Sequence, residues 1–173
     1  MVEVNMEQLI KQIEQWASDR NIIKGSKPID QAMKLFSEFG ELADNVGKGR
    51  DCRDDVGDVF IVLTIMSSQA GLSVLSNIDH NYEFKGDSKH TIIDLGLNLN
   101  YFSRSLNSET LKYSLRDLGR IAFEYDYTLE ECVQLAYNDI KDRKGLMHNG
   151  VFIKESDPAY ASVVKSIEEN YSA

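Results

Sequence analysis

Proline is almost missing from this chain. Pro28 and Pro158 are the only two in 173 residues, and nothing between them interrupts a helix; a Pro-rich adaptor is excluded and long helices are permitted. Cysteine is equally scarce. Cys52 and Cys132 stand alone without a CxxC spacing, which excludes a disulfide scaffold and a thiolate zinc or redox pair and suits a reducing, cytoplasmic setting. Long apolar runs are also lacking: the longest, residues 59–66, is broken by Thr64 and falls far below the roughly 20 residues that span a bilayer. The N-terminal residues lack the basic-then-apolar order of a signal peptide. Positive charge is not in excess either. With 19 basic and 28 acidic side chains the formal net charge is −9, which argues against a surface that coats nucleic acid or an anionic membrane. What remains is ordinary globular composition, 42% hydrophobic and 27% charged, in a length that suits one domain or one domain with a large insertion.

The apolar residues recur at helical spacing. Met6, Leu9, Ile10, Ile13, Trp16 and Ala17 predict a helix over 6–20, followed by a loop over 21–27. Pro28 suits a first helical position, and the helix it opens is predicted to reach about Val46, with Leu35, Phe39 and Leu42 on its apolar side. Gly47 and Gly49 end it. Residues 51–70 predict a third helix, central and buried because nearly every side chain after its first turn is apolar. Residues 71–88 read as a polar, turn-rich loop. Two further helices are expected over 91–106 and 109–125. Thr128 and Glu131 have the N-cap and N3 chemistry of a capping box, so a last helix is expected over 128–144, stopping at Gly145. The tail holds one short extended piece at 151–154. The fold class is all-α, an antiparallel helical bundle.

Two acidic pairs stand out. Glu38 and Glu41 lie three apart on the second helix, Asp55 and Asp58 three apart on the third, which puts each pair on one side of its helix. Glu38 borders the buried stripe of Leu35 and Leu42. The face holding Asp55 and Asp58 continues as Val59, Val62 and Met66. Acids at a helix start also cap free N–H groups, an equally good reading of Asp54 and Asp55, but Asp58 lies past the capping turn. Two antiparallel helices would bring both pairs together, and carboxylates that share a partly desolvated site repel unless protons or cations compensate. Oxygen-only ligands select hard cations, and Mg²⁺ favours a few carboxylates with water and phosphate oxygens.

These residues resemble a known family. Lys34, Glu38 and Glu41, then Asp55 and Asp58 after an interval of 13 residues, are similar to the ExxE…ExxD signature of MazG-like nucleotide pyrophosphohydrolases. The segment 128–145 and the residues 149–155 after it resemble the last helix and tail of small bacterial and phage members. The likeness covers roughly 6–72 and 127–156. It implies an all-α NTP pyrophosphatase core of four helices and hydrolysis of a nucleoside triphosphate, NTP or dNTP, to monophosphate and pyrophosphate. It also implies Mg²⁺, with Mn²⁺ as a substitute, held by Glu38, Glu41, Asp55 and Asp58. Two positions depart from the family: Ser37 stands where a further Glu is frequent, and Asp55 where Glu is usual. A homodimer or homotetramer is implied as well.

A triphosphate needs cations beyond the metal. Asn138, Lys141 and Lys144 run at i, i+3 and i+6 along the predicted last helix and, with Lys34, are the candidate substrate contacts. Lys141 joins Glu38 and Glu41 as a candidate catalytic group that offsets phosphate charge. The two lysines complement the helix dipole equally well. On a helical wheel Arg143 points away from Lys141 and is the weaker candidate. Trp16, Phe39 and Tyr137 serve core packing as readily as base stacking.

About 55 residues separate the two matching regions, an insertion over roughly 73–127. Within it, residues 93–98 echo 37–42 and residues 116–121 echo 54–59, as a degenerate copy of 28–70 in which Leu97 replaces Glu41 and Arg120 replaces Asp58. Two unrelated amphipathic helices account for the pattern as well. A non-catalytic helical protein that binds nucleotide or oligomerises is the alternative function. A di-iron bundle is set aside because no histidine stands three residues after a glutamate.

Overall fold

The Asn5 carboxamide accepts a hydrogen bond from the Gln8 amide and starts the first helix, α1 (Met6–Asp19). In this computed structural model the described residues are 5–80, 82 and 86–171. The expected loop after α1 contains a four-residue helical turn, α2 (Ile22–Gly25). Pro28 then opens α3 (Pro28–Gly47), with the Asp30 carboxylate accepting from the Lys27 amide to satisfy the helix start.

Helix α4 (Arg53–Ala70) ends at Gly71, whose φ of 70° only glycine adopts without strain. It is the central helix, as its sequence predicts. Every residue from 56 to 67 is buried except Asp58, and α1, α3, α6 and α7 all pack on it. Two long helices follow, α5 (Ser88–Ser105) and α6 (Ser108–Glu124), capped by Asp87 and Asn107. They form a second hairpin, with α3 against α5 and α4 against α6. Of the loop expected over 71–88, residues 75–77 form a 3₁₀ turn, and residues 81 and 83–85 lie outside the described ones, as do residues 1–4.

Helix α7 (Leu129–Ile140) starts at the expected capping box, in which Thr128 and Glu131 exchange hydrogen bonds. It stops at Ile140, four residues earlier than its composition suggests. The cause lies outside the helix: Arg20 donates to the carbonyl oxygens of Lys141 and Arg143 at 3.0 and 2.6 Å, and Trp16 Nε1 donates to that of Ile140 at 3.0 Å. These side chains of α1 satisfy the free carbonyls at the helix end and turn the chain into a hairpin.

The hairpin pairs β1 (Gly145–His148) with β2 (Val151–Lys154) in antiparallel register, His148 opposite Val151. Its two-residue turn is Asn149-Gly150, with φ of 49° and 78°, the left-handed pair that a type I′ turn demands. A last helix, α8 (Tyr160–Tyr171), packs on β1 through Val163. The chain is therefore mostly helical, with one small sheet.

One continuous core runs through both hairpins, from Ile13 and Leu35 through Phe60 and Leu63 to Leu99, Leu115 and Val133. Cys52 and Cys132 belong to it as free thiols. Burial pushes each up to about 12, so both are packing groups and not nucleophiles. No helix among the described residues is long and apolar enough to cross a membrane.

Candidate functional site

Helices α3 and α4, the turn after α7 and strand β2 enclose a cavity of about 410 Å³. Its floor is apolar, made by Trp16, Ile61, Ile65 and Phe152. Its charged groups are Asp30, Lys34, Glu38, Asp58, Arg143 and Lys154. Local periodicity explains the lining. Gln31, Lys34 and Glu38 recur at i, i+3 and i+7 on α3; Asp58, Ile61 and Ile65 do so at i, i+3 and i+7 on α4. On β2 the two-residue period places Phe152 and Lys154 on one face.

The acids differ in surroundings. Glu38 is buried and paired with Lys34 one turn back. Asp58 carries the largest perturbation: burial first, then the charges of Glu38 and Asp54, push its carboxyl up to about 7, against the pull of Lys34 and Arg143. Asp55 is raised by burial and by Glu38, and partly relieved by a 2.8 Å hydrogen bond from Asn45. Asp54 is raised as well, by burial and then by Asp139 of α7 and by Asp55, with Arg143 opposing. Glu38, Asp54, Asp55 and Asp58 thus share one field in which negative charge is undercompensated.

The expected metal set is only partly gathered. Glu38 and Asp58 line the cavity, Asp55 couples to Glu38, and Glu41 is exposed outside the lining. No group of three or more His, Cys, Asp or Glu among the described residues stands close enough to hold a metal ion. The donor chemistry nevertheless fits a hard cation: all-oxygen ligands whose mutual repulsion a divalent ion relieves.

The expected phosphate contacts are redistributed. Lys34 lines the cavity. Asn138, Lys141 and Lys144 are exposed and outside its lining, Asn138 bonded to Gln134 and Lys144 set 3.9 Å from Glu155. Arg143 takes the place expected of Lys141. The helical wheel misplaces these residues because α7 ends at Ile140, so residues 141–144 follow a turn and not a helix. Lys154 also went unnoticed, although the Asn149-Gly150 turn dipeptide predicts the hairpin that carries it. Trp16 and Phe152 supply the aromatic surfaces of the cavity, whereas Phe39 contacts the α5 backbone at Gly96.

No family model and no solved structure matches the chain. Among curated proteins, the uncharacterized 18.2 kDa protein in the rep-hol intergenic region of Haemophilus phage HP1 (strain HP1c1) is 30% identical in an alignment of length 159, and the match covers 76% of this chain and 98% of that protein. The likeness spans nearly the whole phage protein, and this chain belongs to the family of that Haemophilus phage HP1 protein.

Proposed function

We propose that the chain is a Mg²⁺-dependent, MazG-like nucleoside triphosphate pyrophosphohydrolase with the four-helix core of that superfamily, cleaving an NTP or dNTP to its monophosphate and pyrophosphate. The observation that carries this reading is the cavity itself. It joins an apolar, aromatic floor suited to a nucleobase with three acids and three cations suited to a metal-bound polyphosphate.

Glu38 and Asp58 would hold the ion, with Asp55 and Glu41 joining only if their side chains turn inward. Bound there, Mg²⁺ would polarise phosphate oxygens and acidify a coordinated water. Arg143 and Lys154 bind the phosphate chain and offset its charge. Lys34 holds Glu38 in place until substrate arrives. Water oxygen bonds to the α-phosphorus as the bond to the bridging oxygen breaks, one carboxylate of the set takes the water proton, and pyrophosphate leaves. The floor of Trp16 and Phe152 positions the base and keeps bulk water from that side.

Assembly follows from the surface. Ile29, Met33 and Phe36 form an exposed stripe on α3, and Ile93, Leu97 and Tyr101 another on α5. The two helices pack together, with Phe39 against Gly96. A chain of net charge −9 repels its own copies except across such uncharged ground, so a homodimer or homotetramer joined there is expected.

The test is a panel of NTPs and dNTPs with Mg²⁺ or Mn²⁺, scored for monophosphate and pyrophosphate. Turnover should vanish in EDTA and fall at least about a hundredfold in Glu38→Gln and Asp58→Asn with folding retained. Saturable nucleotide binding with no turnover would favour a non-catalytic binder. Turnover indifferent to both substitutions would overturn the site.

A further inference from the structure

The end of the cavity away from Glu38 and Asp58, where Asp30 and Gln31 line it, carries a polar pattern that the hydrolase reading leaves unused. Gln31 is 4% exposed and stands seven residues before Glu38 on the same face of α3, about 10 Å along the axis. Its amide orientation is determined by its neighbour. The Ser26 hydroxyl donates to the Ile22 carbonyl at 2.7 Å, so it has only lone pairs to offer Gln31, and Gln31 Nε2 is the group that meets it at 2.9 Å. The Gln31 Oε1 is then the end left to the cavity, and no donor among the described residues reaches it.

Gln69 of α4, one turn beyond Ile65 and outside the cavity lining, holds the same Ser26 that orients Gln31. Its Nε2 donates to the carbonyls of Ile23 and Ser26 at 3.2 and 3.0 Å, which forbids a flip, and its Oε1 is buried without a hydrogen-bond partner. The Trp16 Nε1–H, the nearest donor on the floor, is committed to Ile140. Around these groups the wall is apolar, with Ile22, Ile65 and Met147. The end of the cavity therefore offers the Gln31 Oε1 and, beside it, the Asp30 carboxylate as acceptors. A buried acceptor without a donor is costly, and a ligand bringing an N–H relieves that cost, whereas a ligand bringing a carbonyl opposes oxygen to oxygen.

We infer that this end of the cavity reads an exocyclic amino group, so that cytosine and adenine nucleotides bind in preference to uracil and hypoxanthine nucleotides, with Gln31 as the specificity-determining residue. The inference rests on the nucleotide reading above. It depends on acceptor geometry at the base end and on nothing at Glu38, Asp55 or Asp58.

Trp16 is the only tryptophan in the chain and lines the cavity, so its fluorescence reports occupancy without hydrolysis. The experiment titrates CMP against UMP and AMP against IMP, pairs that exchange an amino group for a carbonyl. The amino member of each pair should bind at least about tenfold tighter. Gln31→Met, which keeps the volume and removes the acceptor, should bring each pair within about twofold while UMP binding persists. Equal affinities within the pairs, or a preference for UMP and IMP, would overturn the inference and leave the nucleotide reading standing. No saturable response to any of the four would overturn both. Should Gln31→Met fail to fold by circular dichroism, the wild-type ratios decide alone.

Discussion

Gly57 lies in α4 between the acids, where a glycine looks wasted: replacing a mid-helix glycine by alanine ordinarily gains about 1 kcal/mol. The opposite sign is expected here. A Cβ at Gly57 would overlap the Cys132 carbonyl oxygen and stand 2.6 Å from Ala136 Cβ, so the obstacle is the backbone of α7 and not the flexible tip of a side chain. Overpacking of this kind costs roughly 1–3 kcal/mol, and contact with backbone puts Gly57→Ala at the upper end. The net loss is then about 1–2 kcal/mol, or roughly 2–8 °C in Tm for a chain of this size. Gly40 supplies the control. It is mid-helix in α3 and a Cβ there meets nothing within 4 Å, so Gly40→Ala should raise Tm by about 2–4 °C. The site feels the difference too. Asp58 follows Gly57 directly, and Arg143 hangs from the end of α7, so pushing α4 from α7 separates the two and should lower turnover about tenfold. Calorimetry on both variants, with turnover on the same preparations, makes the comparison. If Gly57→Ala matched Gly40→Ala in stability, the backbone contact between α4 and α7 would be refuted.

Arg143→Ala should reduce turnover about ten- to a hundredfold with folding retained, while Lys141→Ala stays within about twofold; steady-state kinetics reporting the reverse order would restore the helical wheel over the turn. Asp117 is fully buried, and burial raises its carboxyl above the usual range despite Asn98, Arg116 and Arg120. Its ionised form is the costly one in the folded chain, so its contribution to stability grows as pH falls through its folded value toward the unfolded one. The stability of Asp117→Asn relative to wild type should therefore be greatest above neutral pH and shrink as pH falls toward 4, read from urea midpoints across pH. Leu97 is 54% exposed and Ile93 71%; Ile93→Lys with Leu97→Lys should convert the assembly to a monomer by light scattering, with little change in far-UV dichroism. An assembly unaffected by the pair would place the interface elsewhere.

The helical frame was legible because each long helix carries its own periodicity and caps: Pro28 and Asp30 open α3, Gly71 closes α4, and Thr128 with Glu131 starts α7. Asp58 was legible as well, being the one charged side chain from 56 to 67. The end of α7 was not, because nothing local stops it. Residues 141–144 contain no helix breaker, and the carbonyls there are taken by Arg20, some 120 positions earlier in the chain. That long-range bond decides which cation enters the cavity. Helix α8 was within reach, since Tyr160, Val163, Val164, Ile167 and Tyr171 keep helical spacing. The orientation of Gln31 was not, since it depends on a serine hydroxyl already committed elsewhere.

The two hairpins make the charge argument independently of any resemblance. In the first, Asp55 of α4 accepts from Asn45 of α3 at 2.8 Å. In the second, Asp117 of α6 accepts from Asn98 of α5 at 2.6 Å. The sequence echo sets Asp117 against Asp55, and Arg116 and Arg120 against Asp54 and Asp58. In the second hairpin both arginines stand 3.4 Å from the aspartate, so the chain supplies its own counter-charge and the carboxylate can be sealed from solvent. In the first, the flanking positions add negative charge, and Asp58 opens into a cavity. A fold that meant only to bury an aspartate at this crossing has the arginine solution available, and uses it one hairpin away. Leaving three aspartates and Glu38 in mutual repulsion sacrifices stability, and Lys34 and Arg143 offset that loss only in part. On the proposed function a bound divalent cation would offset the rest, and Arg116 and Arg120 give the scale: about two positive charges beside the central aspartate.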